Sequence, residues 1–153
     1  MVTLIIGGAT AVIGLLIRAW ASGHIRKNQT LAISGPYRYT RNPLYLGSFI
    51  LGIGFTIAAG AWWFVFLLVF VALFLGIYLP VMRVEASELE EIFGAEYKDY
   101  TKRVPLFFPR FTAGEKSEIN FDFDLYLRYR EYQAAIGLIF AWSILLVKAI
   151  FLR

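Results

Sequence analysis

The chain has no cysteine and a single histidine, His24. The first absence excludes disulfides, thiolate zinc sites, iron–sulfur clusters and a cysteine nucleophile, and the second excludes a histidine-rich metal site. Acidic residues are also missing from most of the chain, since all 11 fall between Glu85 and Glu131. Charge of either sign disappears for 41 consecutive positions, from Asn42 to Met82. No glycine-rich turn between a strand and a helix is present, because Gly7-Gly8 and Gly52-x-Gly54 lie inside apolar runs. A Rossmann-type cofactor site is therefore not expected.

Apolar surface is what the chain has in excess. Of 153 residues, 59% are hydrophobic and 18% aromatic, and the mean hydropathy is +0.63. A soluble domain of this size buries only about 68–70% of its chain surface, so the remainder needs lipid as its solvent. The uncharged run 42–82 would reach about 60 Å as one helix, twice the ~30 Å hydrocarbon thickness, and is expected to be a hairpin of two spans. Its turn is expected near Ala59, Gly60 and Ala61, with Trp62 and Trp63 at headgroup depth.

The reading is an all-α integral membrane protein forming one domain of about four transmembrane helices, at about 2–21, 43–60, 62–82 and 132–151. Lys148 is placed to snorkel to the far interface. Met1 enters the apolar run with no basic segment before it, so a cleaved signal peptide is not expected. Arg26, Lys27, Arg38 and Arg41 crowd the first connection without an acid, whereas the 60–61 turn is uncharged. That asymmetry puts segments 22–42 and 83–131 on the cytoplasmic side.

Those two polar segments hold the candidate chemistry. In the first, Ser34-Gly35-Pro36 signals a turn, and Pro43 suits the first turn of the next helix. Tyr37, Tyr39 and Tyr45 with Arg38 and Arg41 are either interfacial anchors or site residues. The second segment continues as a helix out of the third span. At about 100° per residue it carries Glu85, Leu89, Ile92 and Phe93 on one stripe and turns Glu90 and Glu91 away, with Glu88 at the edge. A carboxylate on that stripe needs a cationic or hydrogen-bonding partner: an ion pair with Arg83 or Arg41, or a ligand. Residues 119–129 alternate apolar and polar positions with a period of two. An exposed strand edge is costly near lipid, so an interfacial arm leading into the last span is expected instead.

Taken in order, Thr30-Leu31, Ser34-Gly35-Pro36-Tyr37, Arg41-Asn-Pro-Leu-Tyr-Leu-Gly47, Arg83 with Glu85, Phe93-Gly94-x-Glu96-Tyr97-x-x-Tyr100 and Val104-Pro105 resemble the isoprenylcysteine carboxyl methyltransferase family. This group of integral-membrane methyltransferases includes related phospholipid methyltransferases. The resemblance covers roughly residues 20–110. It departs from the family's pattern at Asn42, where histidine is usual, and at Ala86, where a second glutamate is usual.

The resemblance implies S-adenosylmethionine as methyl donor, bound on the cytoplasmic side by Gln29, Thr30, Leu31, Ala32, Tyr37, Asn42, Pro43, Leu44, Tyr45 and Glu85, with no metal. In-line methyl transfer needs alignment and exclusion of water, and a guanidinium suits an anionic acceptor. Arg41 is the catalytic candidate and Arg83 the substrate-binding one. His24 is expected to be interfacial. The expected acceptor is a lipid-like or prenylated carboxylate reached from the bilayer; membrane lipids are the other partners, and no nucleic acid is expected. Sterol-type membrane reductases share the Arg-x-Pro-x-Tyr turn, so an NADPH-dependent reductase is the enzymatic alternative. A structural or lipid-binding membrane protein is the other.

Overall fold

The computed structural model describes residues 1–26, 30–111 and 120–151, and all its regular elements are helical. They are α1 (Val2–Ser22), α2 (Pro43–Ala58), α3 (Trp63–Phe93), α4 (Ala95–Arg103), α5 (Phe123–Arg128) and α6 (Tyr132–Phe151), with short 3-10 turns at Gly35–Arg38 and Gly60–Trp62. By length and composition α1, α6 and the helical run Gly60–Phe93 can each cross a membrane, and α2 is a shorter apolar helix beside them. Their outer faces expose large apolar side chains such as Ile5, Leu16, Leu68, Leu73, Ile139 and Phe140. In water such faces would drive aggregation, whereas in lipid they are solvated. The protein is a multi-pass integral membrane protein.

The α1–α2 pair is the tightest contact. Gly7, Ala11 and Gly14 of α1 meet Gly47 and Gly54 of α2 so closely that a methyl on Gly7 would lie 2.5 Å from the Gly54 carbonyl oxygen, and one on Gly54 would lie 2.5 Å from that of Gly7. Small residues let two backbones approach where lipid supplies no hydrophobic drive to pack them. The chain reverses after α2 at Gly60, whose φ of +81° glycine adopts without strain. α3 then returns against the other side of α2 through rings, with Phe49 of α2 5.8 Å from Phe70 and 5.1 Å from Phe74.

With 31 residues, α3 is about 46 Å long at 1.5 Å per residue, so its last turns project beyond a ~30 Å core. Gly94 (φ +52°) ends it, and α4 folds back beneath the bundle. There Leu31, Tyr97, Tyr100 and Val104 form a small buried core, with Leu89 and Phe93 packed on it. The arm before α6 is helical in part: Asp122 Oδ1 accepts from the backbone nitrogens of Asp124 and Leu125 at 3.0 and 3.3 Å and so caps α5. Among the described residues there is no strand in it; Ile119, where the alternation begins, lies outside them. The two polar segments gather at one end of the bundle.

Candidate functional site

The stretch from Thr30 to Tyr45 is pinned under α1 and α2 by its own turn chemistry and by a strap from the far side of α4. Gly35 takes φ +55° and Pro36 occupies the first turn of the following 3-10 helix, which turns Tyr37 into the interior. The Tyr100 hydroxyl donates to the Tyr37 carbonyl at 2.7 Å. Residues 104–110 then run alongside 39–42. Arg41 N donates to Pro105 O and Arg110 N to Tyr39 O, each at 2.9 Å. Thr40 Oγ1 donates to Phe107 O at 2.7 Å and Asn42 Nδ2 to Leu106 O at 3.0 Å. Asn42 is thus committed to holding the strap, and Pro43 follows it as the first residue of α2.

Above this platform lies a cavity of about 750 Å3, within the roughly 300–1,000 Å3 usual for small-molecule sites. Thr30, Leu31, Ala32, Tyr37, Asn42, Pro43, Leu44, Tyr45 and Glu85 all line it, as does Arg41. Gln29 lies outside the described residues. Arg83 is exposed and is not among the lining residues. Glu88, Glu91 and Ile92 reach the rim while remaining largely exposed. Glu90 is turned to solvent and pairs with Lys98 at 3.3 Å.

Of the partners the sequence left open for Glu85, the structure supplies a hydrogen-bonding one and neither guanidinium: the Tyr45 hydroxyl donates to Glu85 Oε1 at 2.8 Å. This bond ties α2 to α3 across the cavity. A carboxylate offers about four acceptor sites, so Glu85 retains capacity toward a ligand. Arg41 Nη1 donates to the Tyr97 hydroxyl at 3.2 Å, and the guanidinium lies 5.9 Å from the centre of that ring. Arg41 Nε and the Tyr37 hydroxyl are both buried and make no hydrogen bond among the described residues. Burial, reinforced by the neighbouring Tyr100, pushes the Tyr37 phenol well above its ordinary range. It is therefore a neutral donor at physiological pH. Unmet buried donors are costly, and Tyr37 and Arg41 are both among the residues that line the cavity.

Sequence reasoning missed Arg18 and Glu131. Arg18 Nε and Nη2 bind both Glu131 oxygens at 2.8–3.1 Å, and Nη1 donates to Ser48 Oγ. Arg18 and Ser48 line the main cavity and also a second, more open groove of about 380 Å3, completed by Leu51, Phe55, Ala134, Gly137 and Leu138. The signal was available: Arg18 is the one charged residue of α1, and an ionisable residue within a span marks a functional position by default. His24 is buried, its Nδ1 2.9 Å from Trp20 O, and does not line the cavity. Among the described residues no group of three or more His, Cys, Asp or Glu is arranged to hold a metal ion.

The family model for phospholipid methyltransferases matches residues 2–96. Over 109 residues the chain is 38% identical to the cobalt-zinc-cadmium resistance protein CzcN of Cupriavidus metallidurans, an alignment that covers 69% of this chain and 47% of that protein. Over 114 residues it is 34% identical to the nickel-cobalt-cadmium resistance protein NccN of Alcaligenes xylosoxydans xylosoxydans, with the same two coverages. The chain thus spans about half the length of these curated relatives. No solved structure matches.

Proposed function

Because the chain belongs to the phospholipid methyltransferase family, we propose that it transfers a methyl group from S-adenosylmethionine to a lipid-like acceptor, a carboxylate such as that of a prenylated cysteine or an analogue. The observation that carries this reading is the cavity itself. It is lined by Glu85, a carboxylate with unused acceptor capacity, and by Tyr37 and Arg41, whose buried hydroxyl and Nε have no partner among the described residues. S-adenosylmethionine presents the complement, with an ammonium, a sulfonium and ribose hydroxyls for Glu85 and the tyrosine rings, and acceptor atoms for the donors.

When bound, the cofactor supplies an electrophilic methyl group on a cationic sulfur. The chain's own residues have three tasks. Glu85, fixed by Tyr45, accepts from the cofactor's ammonium or ribose hydroxyls. Thr30 to Ala32, Tyr37 and Asn42 to Tyr45 wall the cofactor, and Gln29 belongs to the same stretch. Arg41 orients the acceptor carboxylate. It is suited to this because the other two arginines lining the cavity, Arg18 and Arg26, are already paired with Glu131 and Asp122. A carboxylate is already the nucleophile and needs no general base; the chain has only to hold it in line and keep water out. Arg83, exposed on α3, is left to meet headgroups at the surface. The basic first connection, with Arg26, Lys27, Arg38 and Arg41 and no acid, favours a cytoplasmic position for this end of the bundle.

The relatives are named for metal resistance, but direct metal binding by this chain has no observation in its favour among the described residues. The test is titration of the detergent-purified protein with S-adenosylhomocysteine and, separately, with NADPH. Binding of the first alone is expected. A response to NADPH alone would identify a reductase, and silence toward both a non-enzymatic role. Transfer of a labelled methyl group into a lipid extract then identifies the acceptor.

A further inference from the structure

The Arg18–Glu131 pair lies inside the bundle, joins residues 113 positions apart, and plays no part in the chemistry outlined so far. Its setting is specific. The stem of Arg18 crosses α2 where Gly47 has no side chain; a methyl there would lie 2.6 Å from Arg18 Cγ. That crossing brings the guanidinium to Ser48. Glu131 holds the fork from behind with both oxygens and lines neither hollow, whereas Arg18 and Ser48 line both. They form the partition between the cofactor cavity and an apolar groove flanked by α2 and α6.

Resting on the methyltransferase reading, we propose that Arg18 is an acceptor-positioning residue: it donates a hydrogen bond to an oxygen of the group that links the acceptor's apolar tail to its reacting carboxylate. The tail lies in the groove against Leu51, Phe55 and Leu138, and the carboxylate reaches the cavity. What lies between them must pass Arg18. A guanidinium has five N–H groups. The bonds to Glu131 use the N–H of Nε and the Nη2 N–H beside it, and the bond to Ser48 uses one on Nη1, so a second N–H remains on Nη1, the atom that meets Ser48 at the partition. Because Glu131 neutralises the charge, this donor suits an uncharged oxygen, such as an amide or ester carbonyl, better than a second anion. The clamp also fixes Arg18 in one rotamer, so little side-chain entropy is lost on binding.

Two amphiphiles sharing a tail and a carboxylate separate this role from a structural clamp. N-acetyl-S-farnesylcysteine carries an amide carbonyl in an acetamido branch on the carbon that joins them, and S-farnesyl-3-mercaptopropionate lacks that branch. In phosphatidylcholine nanodiscs the native chain should bind the first about tenfold more tightly, the usual size for one hydrogen bond from a charged donor. Arg18→Gln alone would strand Glu131, so the decisive variant is Arg18→Gln/Glu131→Gln, which removes both charges together. In it the preference should shrink below about twofold, while continued binding of S-adenosylhomocysteine shows that the variant is folded. Persistence of the preference in that variant overturns the proposal, as does a native chain that binds S-adenosylhomocysteine but shows no preference or binds neither amphiphile. A native chain that does not bind S-adenosylhomocysteine brings down the methyltransferase reading first and this proposal with it.

Discussion

The two flanks of α2 are built on different principles. Toward α1, glycine faces glycine and the backbones touch. Toward α3 the helices are held apart by rings, Phe49 against Phe70 and Phe74, with Phe107 of the strap closing the stack 5.5 Å from Phe49. A backbone contact leaves no volume for a ligand, whereas a contact through side chains opens wherever the side chains change. The cavity forms on the second flank, where the aromatic stack gives way to Met82, Tyr45 and Glu85. The α1–α2 pair is the fixed wall against which that site is assembled.

If so, the largest effect of any single substitution should come from the glycine flank. Gly14→Leu places a Cβ 2.5 Å from the Gly47 carbonyl oxygen and against the backbone of Leu51. Since neither neighbour is a side chain that can rotate away, we expect a loss of more than about 4 kcal/mol and failure to recover folded, monodisperse protein. Gly76→Ala in α3 is the control. A methyl there meets nothing within 4 Å, and thermal melting should be unchanged or improved by up to about 1 kcal/mol. Similar behaviour of the two variants would erase the distinction between the flanks.

On the aromatic flank, Phe74→Ala removes a ring that contacts Phe49, Phe70, Tyr78 and Phe107. A loss of about 2–4 kcal/mol is expected, because the remaining rings can partly collapse into the space. The collapse would draw α3 toward α2 and distort the cavity. Melting temperature and S-adenosylhomocysteine affinity should therefore both fall, whereas loss of stability alone would separate the stack from the site.

The polar bridge across the same flank, Tyr45 to Glu85, comes next. Glu85→Gln keeps the size and removes the charge. Cofactor affinity should fall by about 1.5–3 kcal/mol, roughly ten- to a hundredfold, if Glu85 accepts charge-assisted hydrogen bonds from the cofactor. If the carboxylate serves only to clamp α3 to α2, the variant instead melts at a lower temperature without the cofactor, and affinity of the folded fraction is unchanged. Measuring both on one preparation decides between them.

The two flanks also differ in how readily the sequence disclosed them. Spans, turn and polar ends follow from hydropathy and charge, which report each residue's solvent directly. Glu85 stood out because a carboxylate shared a stripe with Leu89 and Phe93, and both pack against the small core under the site. Ile92, on the same stripe, is 52% exposed, since a stripe drawn from ideal periodicity is wider than the surface α4 covers. The strap was not legible, because on its own side every one of these bonds to 39–42 runs through backbone atoms that every sequence possesses. Arg18 and Glu131 were visible singly, but 113 residues of separation hid the pairing. The alternation at 119–129 was read as an interfacial arm and not as a strand, and the structure shows the physical reason. Phe121, Phe123 and Leu127 are exposed and only Leu125 is buried, so the pattern marks an interfacial arm rather than one face of a sheet.

The smallest effects should lie just outside the aromatic flank, at Glu90 and Glu91. Glu90 pairs with Lys98 at 3.3 Å, but the two side chains are 49% and 63% exposed. In that setting attraction is screened, and ordering two long side chains offsets most of what remains, leaving below about 0.5 kcal/mol. Glu91 reaches the cavity rim yet is exposed as well, so any bond it offered a ligand would compete with water. Glu90→Gln and Glu91→Gln should each change S-adenosylmethionine affinity by less than about twofold, with melting temperatures inside experimental error. Raising the salt concentration should remove whatever difference Glu90→Gln shows. A tenfold loss in Glu91→Gln would move the cofactor's polar end outward to the rim, and would give Glu85 the clamping role that its bond to Tyr45 equally permits.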